Sequence, residues 1–99
     1  MASAPRIRVE WNERKAETNL RKHKVSFELA PRVFDDEFAQ TELEGTEHGE
    51  ARFRTTGQIG GILIVVSHTY REEAGIEIIR IVSARKATRS ERRHFEEST

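Results

Sequence analysis

Cysteine is absent from the sequence, which excludes a disulfide framework and a thiolate metal site and suits a reducing, cytoplasmic setting. No apolar run approaches the roughly 18–20 residues needed to cross a bilayer. The N-terminal "MASAPRIRVEW" has no signal-peptide core, so a soluble, unprocessed chain is expected. There is no internal repeat or linker, and 99 residues leave room for one domain, 1–99. A domain of that size buries only about 60–65% of its unfolded surface. Glycine-rich phosphate loops, a nucleophile elbow and H-E-x-x-H are all missing. Net charge is missing too, with 17 basic and 17 acidic side chains.

The charges that are present are unevenly placed. Asp35 to Glu50 holds seven acidic residues and no lysine or arginine, whereas Arg80 to Arg93 holds six basic residues against Glu91 alone. A dipolar surface follows, with one pole suited to a polyanion and the other to a basic protein. At 35% hydrophobic and 34% charged, the composition is lean for a self-contained globule. It leaves surface for a partner.

Period-two alternation of Ile7, Val9 and Trp11 predicts a first strand. Asn12 can cap a helix carrying Ala16, Leu20 and His23 on a thin apolar stripe. Ser26 opens a second expected helix through Phe27, Ala30, Val33 and Phe34, in which Pro31 forces a kink or a late start. Four strands follow in "FAQTEL", "EARFRTTG", "GGILIVVSHTY" and "IEIIRIVSAR", separated by glycine-bearing turns. Thr88 and Glu91 form a capping box for a terminal helix. The expected fold is α+β, in the order β-α-α-β-β-β-β-α.

On the terminal helix, Arg89, Arg92, Arg93 and Glu96 share a face, and Phe95 is the one large apolar side chain. Pairs Arg92–Glu96 and Arg93–Glu97 would lace a solvated helix, but they do not account for Arg80, Arg85, Lys86 and Arg89. Phosphate binding accounts for them, because arginine grips phosphate oxygens through parallel donors. Glu50, Arg52 and Arg54 share a strand face opposite Phe53, which is expected to be buried. Arg80 sits inside an apolar run, so it must be paired or open to a cleft. In a regular strand Arg80 and Arg85 point to opposite faces, and only a bulge would unite them.

Four histidines are acid–base candidates. His68 reads as a core histidine and His23 as either a helix cap or a catalyst. His48 with Glu47, Glu50, Asp35 and Asp36 imitates a metal site without any standard spacing. No metal or cofactor is expected.

The segments "EWNERKAETNLRKHKVSFELAPRVFDD", "HGEARF" and "IRIVSARKATRSERRHFEE" resemble, in order, linked motifs of the BrnT toxin family. Those motifs are W-D-E-x-K-x-x-x-N-x-x-K-H-G-x-S-F, V-F-D-D, G-E-x-R and I-I-S-A-R-K-A-x-x-x-E-R. The likeness runs from about Val9 to Glu96. It implies a RelE-like ribonuclease, the toxin of a type II pair, silenced by a BrnA-type antitoxin that carries the complex to operator DNA. It also implies functional positions at His23, Glu50, Arg52, Arg71, Arg80, Arg85 and Lys86. Lys24 departs from the pattern's glycine, Asn12 from its aspartate, and Phe95 stands where many relatives carry tyrosine. The expectation is metal-free RNA cleavage. Arg80 and Arg52 hold the scissile phosphate, and Glu50 or His23 moves protons. Arg71, Arg85, Lys86, Arg89, Arg92 and Arg93 contact RNA. The competing expectation is a non-catalytic module that binds nucleic acid or a protein through the same arginines.

Overall fold

The computed structural model describes residues 6–99. Its elements are strand β1 (Arg6–Trp11), helix α1 (Glu13–His23), a 3-10 helix (Ala30–Asp35), strands β2 (Gln40–Glu47), β3 (Glu50–Ile59), β4 (Ile62–Glu73) and β5 (Ile76–Lys86), and helix α2 (Arg89–Glu97). One five-stranded sheet runs in the order β1-β5-β4-β3-β2. β1 lies parallel to β5, and every other pair is antiparallel. No helix among the described residues is long and apolar enough to cross a membrane. The reading of the N-terminus falls partly on residues 1–5, outside the described residues.

Two-residue turns at His48–Gly49, Gly60–Gly61 and Ala74–Gly75 connect the antiparallel strands. All six residues have positive φ, the backbone that matches strand twist in a hairpin. His48 is therefore a turn residue, and Asp36, its supposed companion in a metal site, accepts from the N–H groups of Phe38 and Gln58 instead.

The second expected helix forms late and as a 3-10 helix. Pro31 lies in its first turn, where a missing N–H is harmless. Upstream, Ser26 Oγ and its carbonyl accept from Leu29 N and Ala30 N, so the backbone is satisfied by a turn.

One sheet face packs against α1 and the 3-10 helix through Val25, Phe27, Ala30, Val33, Ile64, Val66, Ile79, Ile81 and Ala84, with Val9 and Trp11 at the margin. Trp11 meets Phe27 edge to face at 6.2 Å. On α1 the buried residue is Asn19, not Leu20, which is 48% exposed. Asn19 donates to the carbonyls of Val25 (2.9 Å) and Ala84 (2.8 Å) and accepts from Ala84 N (3.1 Å). Its amide thus takes the place of a strand along β5, whose partner β1 ends opposite Ile81.

Lys24 ends α1 in the left-handed conformation, φ 61°, and bonds Leu20 O at 2.9 Å. A lysine adopts the backbone for which glycine is suited. Lys24→Gly should therefore stabilise the fold by about 0.5–1 kcal/mol, net of the greater freedom glycine gives the unfolded chain. Denaturant melts would read this as a higher midpoint at constant slope.

Candidate functional site: an arginine face

The residues committed to the core fix which way every strand residue points. With Val9, Thr55, Val66, Ile81 and Ala84 turned inward, Arg6, Arg8, Arg52, Arg54, Arg71, Arg80 and Arg85 all turn outward to the opposite face. The decisive local feature is in β5. Ile81 pairs with His68 and Ser83 with Ser67, so Val82 is an extra residue and the register slips there. That bulge brings Arg85 onto the face of Arg80, where a regular strand would have put it into the core. A second bulge, at Glu44 in β2, lets that side chain bond Ser67 Oγ at 2.9 Å across β3.

Register then sets a row across the sheet. Arg52 is opposite Thr69, Thr69 opposite Arg80, and Arg80 opposite Glu10. Arg52 and Arg80 lie two strands apart, about 10 Å between backbones, with Thr69 between them. Glu10 holds Arg71 at 3.0 Å and Arg80 at 3.6 Å. Arg80 is thus paired, one of the two alternatives the sequence offers, and it is 42% exposed. Among the described residues, the buried side-chain polar atoms without a hydrogen-bond partner are Arg52 Nε and Thr69 Oγ1, from one cross-strand pair. Such groups are rare and costly, and each calls for an explanation such as strain, a bound water or an ion.

Carboxylates compensate most of this face. Glu47 meets Arg52 at 2.5 Å, Glu42 meets Arg54 at 3.6 Å, and Glu73 joins Glu10 on Arg71. The hydrogen bonds to Glu73, then Glu10, raise the Arg71 pKa. Of the seven carboxylates from Asp35 to Glu50, β2 thus carries Glu42 and Glu47 onto the arginines.

Helix α2 is tied down by the same chemistry. Glu91 accepts two bonds from Arg85, at 2.6 and 2.9 Å, and a third from Thr88 N at 2.8 Å as half of the capping box. Phe95 is its one buried side chain. The expected Arg92–Glu96 and Arg93–Glu97 pairs do not form among the described residues. Arg89, Arg92 and Arg93 are exposed. Arg85, expected to contact RNA, anchors α2 through Glu91. Lys86, the next residue, pairs with Ile64 and points to the opposite face, away from the arginines of the strands.

The two proton-transfer candidates are not brought together. Glu50 lies on the arginine face two residues before Arg52, exposed at the β2–β3 hairpin. His23 closes α1, in a groove lined also by Val82 and Ser83. Glu10 and Thr69 escaped the sequence reading. Glu10 shares parity with Arg6 and Arg8 in a strand otherwise apolar, and that was the available signal.

His68 lies beneath Thr69, 4% exposed on the core face. Its Nδ1–H donates to Thr69 O at 3.2 Å, and Nε2 accepts from the Thr55 hydroxyl at 2.8 Å, a tautomer assigned from this network. It is a core histidine, stacked at 6.1 Å on Phe53, which is only half-buried. Burial lowers its pKa below 6.5. The Arg85 hydrogen bonds hold the Glu91 carboxyl at about 2, against an ordinary 4.5. Both groups bind protons more readily when unfolded, so each loses its stabilisation as pH falls. His68 acts below about 6.5 and Glu91 between about 4.5 and about 2. Melting temperature should fall in two steps on acidification, and Glu91→Gln should remove the lower one. A lower step of undiminished size in that variant would contradict the assignment.

No curated protein matches the sequence. A family model described as "Ribonuclease toxin, BrnT, of type II toxin-antitoxin system" matches residues 11–91, from the end of β1 into α2. The matched span contains the Arg52–Thr69–Arg80 row, both bulges and the Arg85–Glu91 clasp. On that match the chain belongs to the BrnT family of ribonuclease toxins of type II toxin-antitoxin systems.

Proposed function

We propose that this chain is a metal-independent endoribonuclease whose arginine face cleaves RNA and thereby inhibits growth. It acts as a single RelE-like domain, 1–99, in the cytoplasm, and a BrnA-type antitoxin silences it and takes the complex to operator DNA. The observation that carries the reading is the Arg52–Thr69–Arg80 row, with Arg52 Nε and Thr69 Oγ1 unpartnered within it.

Cleavage without a metal joins the 2′-oxygen to phosphorus and breaks the bond from phosphorus to the 5′-oxygen. A base takes the 2′-hydroxyl proton, an acid supplies one to the 5′-oxygen, and the phosphorane charge is stabilised between these events. A phosphate seated between Arg52 and Arg80 would meet two guanidinium groups, which serves the middle task. Glu10 positions Arg80 and Arg71 for it. Glu50 is the better placed base, because it shares the face with Arg52.

A module that binds RNA without cutting it is the second reading. It draws on the carboxylate partners of Arg52, Arg54, Arg71, Arg80 and Arg85, which offset the charge a phosphate clamp needs. Purified protein incubated with RNA separates the two. The enzyme reading expects cleavage that persists in EDTA, and arrest by EDTA would move the chemistry to a metal. RNA that stays intact while bound favours the module.

A further inference from the structure

β1 stops opposite Ile81, yet β5 continues to Lys86, and α1 occupies the missing strand's place through Asn19. Between α1 and the Val82–Ser83 bulge lies an open groove of about 510 Å³. Arg14, Lys15, Lys22 and His23 line its helix side and Ser83 its sheet side. Arg14 and Lys22 are eight residues apart, and Lys15 and Lys22 seven, so these cations share one side of α1. Among the described residues, none of the four has a carboxylate within salt-bridge distance, unlike the arginines in the middle of the sheet. Ser83 pairs with Ser67 and precedes Arg85 by two residues, so this lining residue at the sheet edge shares the arginine face.

We infer that this groove is a second phosphate subsite, which takes the RNA chain beyond the phosphate held by Arg52 and Arg80. The inference rests on the proposed RNA-directed function. Lysine ammonium groups with no internal partner release counterions when a phosphodiester arrives, and each such contact steepens the salt dependence by about 0.7 on a single strand. Mid-sheet arginines must first exchange a carboxylate for the phosphate. The groove therefore supplies affinity and direction to the strand, while the Arg52–Arg80 row supplies the chemistry.

The test is binding of a non-cleavable 2′-O-methyl RNA of about 12 nucleotides, across a salt series, to wild type and to the double variant Lys15→Gln/Lys22→Gln. Both lysines are exposed, and unchanged melting would verify folding. The groove predicts roughly tenfold weaker binding at low salt and a slope lower by about 1.4, for two lost contacts. The loss should exceed that for a dinucleoside monophosphate, whose single phosphate fits the Arg52–Arg80 row alone. Unchanged affinity and slope for the long RNA would overturn the inference, as would an equal loss for both ligands. Failure of wild type to cut any RNA would instead sink the ribonuclease reading, and the binding series would still judge the groove.

Discussion

Arg80→Ala is expected to lower RNA cleavage by about 10²–10³-fold, the usual loss when a donor to developing charge is removed. Growth inhibition should fall with it. Stability should hardly change, because the Arg80–Glu10 contact is 3.6 Å long and Arg80 is 42% exposed. Such half-exposed ion pairs contribute about 0–1 kcal/mol. Structural damage and lost chemistry can therefore be told apart by melting the variant. Arg54→Ala is the matched control: Arg54 is on the same face and similarly paired, but sits opposite Ser67, outside the row. Its effect should be several times smaller. A fully active Arg80→Ala protein would remove Arg80 from the mechanism.

The second large effect concerns stability. Asn19→Leu removes three buried hydrogen bonds and leaves the carbonyls of Val25 and Ala84 and the Ala84 N–H without partners. Each buried orphan costs about 1–3 kcal/mol, so a loss of about 3–5 kcal/mol is expected once partial relaxation is allowed. For a domain of this size that lowers the melting temperature by roughly 15–30 °C. The same substitution should reduce cleavage in the surviving folded protein, because α1 then no longer holds β5 beside the bulge that turns Arg85 outward. Leu20→Ala, one residue along but exposed, should cost less than about 1 kcal/mol. Comparable melting of the two variants would contradict the strand-replacing role of Asn19.

Much of this architecture could be read from the sequence, and the parts that could not share a physical cause. Local signals were sufficient where the decision was local. Alternation placed β1 and β3, the paired glycines placed the β3–β4 turn, and Thr88 with Glu91 placed the start of α2. Pro31 signalled the late start of its helix, but helix type depends on close packing against β3. There a side chain at Gly57 would come within 2.7 Å of Val33 O. The bulge at Val82 left no mark in "IRIVSAR", because one extra apolar residue in an apolar run does not alter composition. The orientation of Arg85 relative to Arg80 was therefore undecidable from parity. Glu10 acquires its place only when the two ends of the chain pair in parallel, and Glu42 and Glu47 reach the arginines only when β2 pairs with β3. The first pairing joins distant parts of the chain and the second is a hairpin, and a one-dimensional reading of charge runs shows neither.

On the proposed function, RNA is bound and cut on the bulged, arginine-bearing face. The most direct test is nuclear magnetic resonance mapping of this protein with a non-cleavable RNA oligonucleotide, following backbone amides and arginine side chains. Binding on that face should perturb Arg52, Thr69, Arg80 and Ser83 together, and leave the opposite surface around Phe34, Phe53 and Tyr70 unmoved. Shifts concentrated on that opposite surface, with Arg52 and Arg80 silent, would contradict the account.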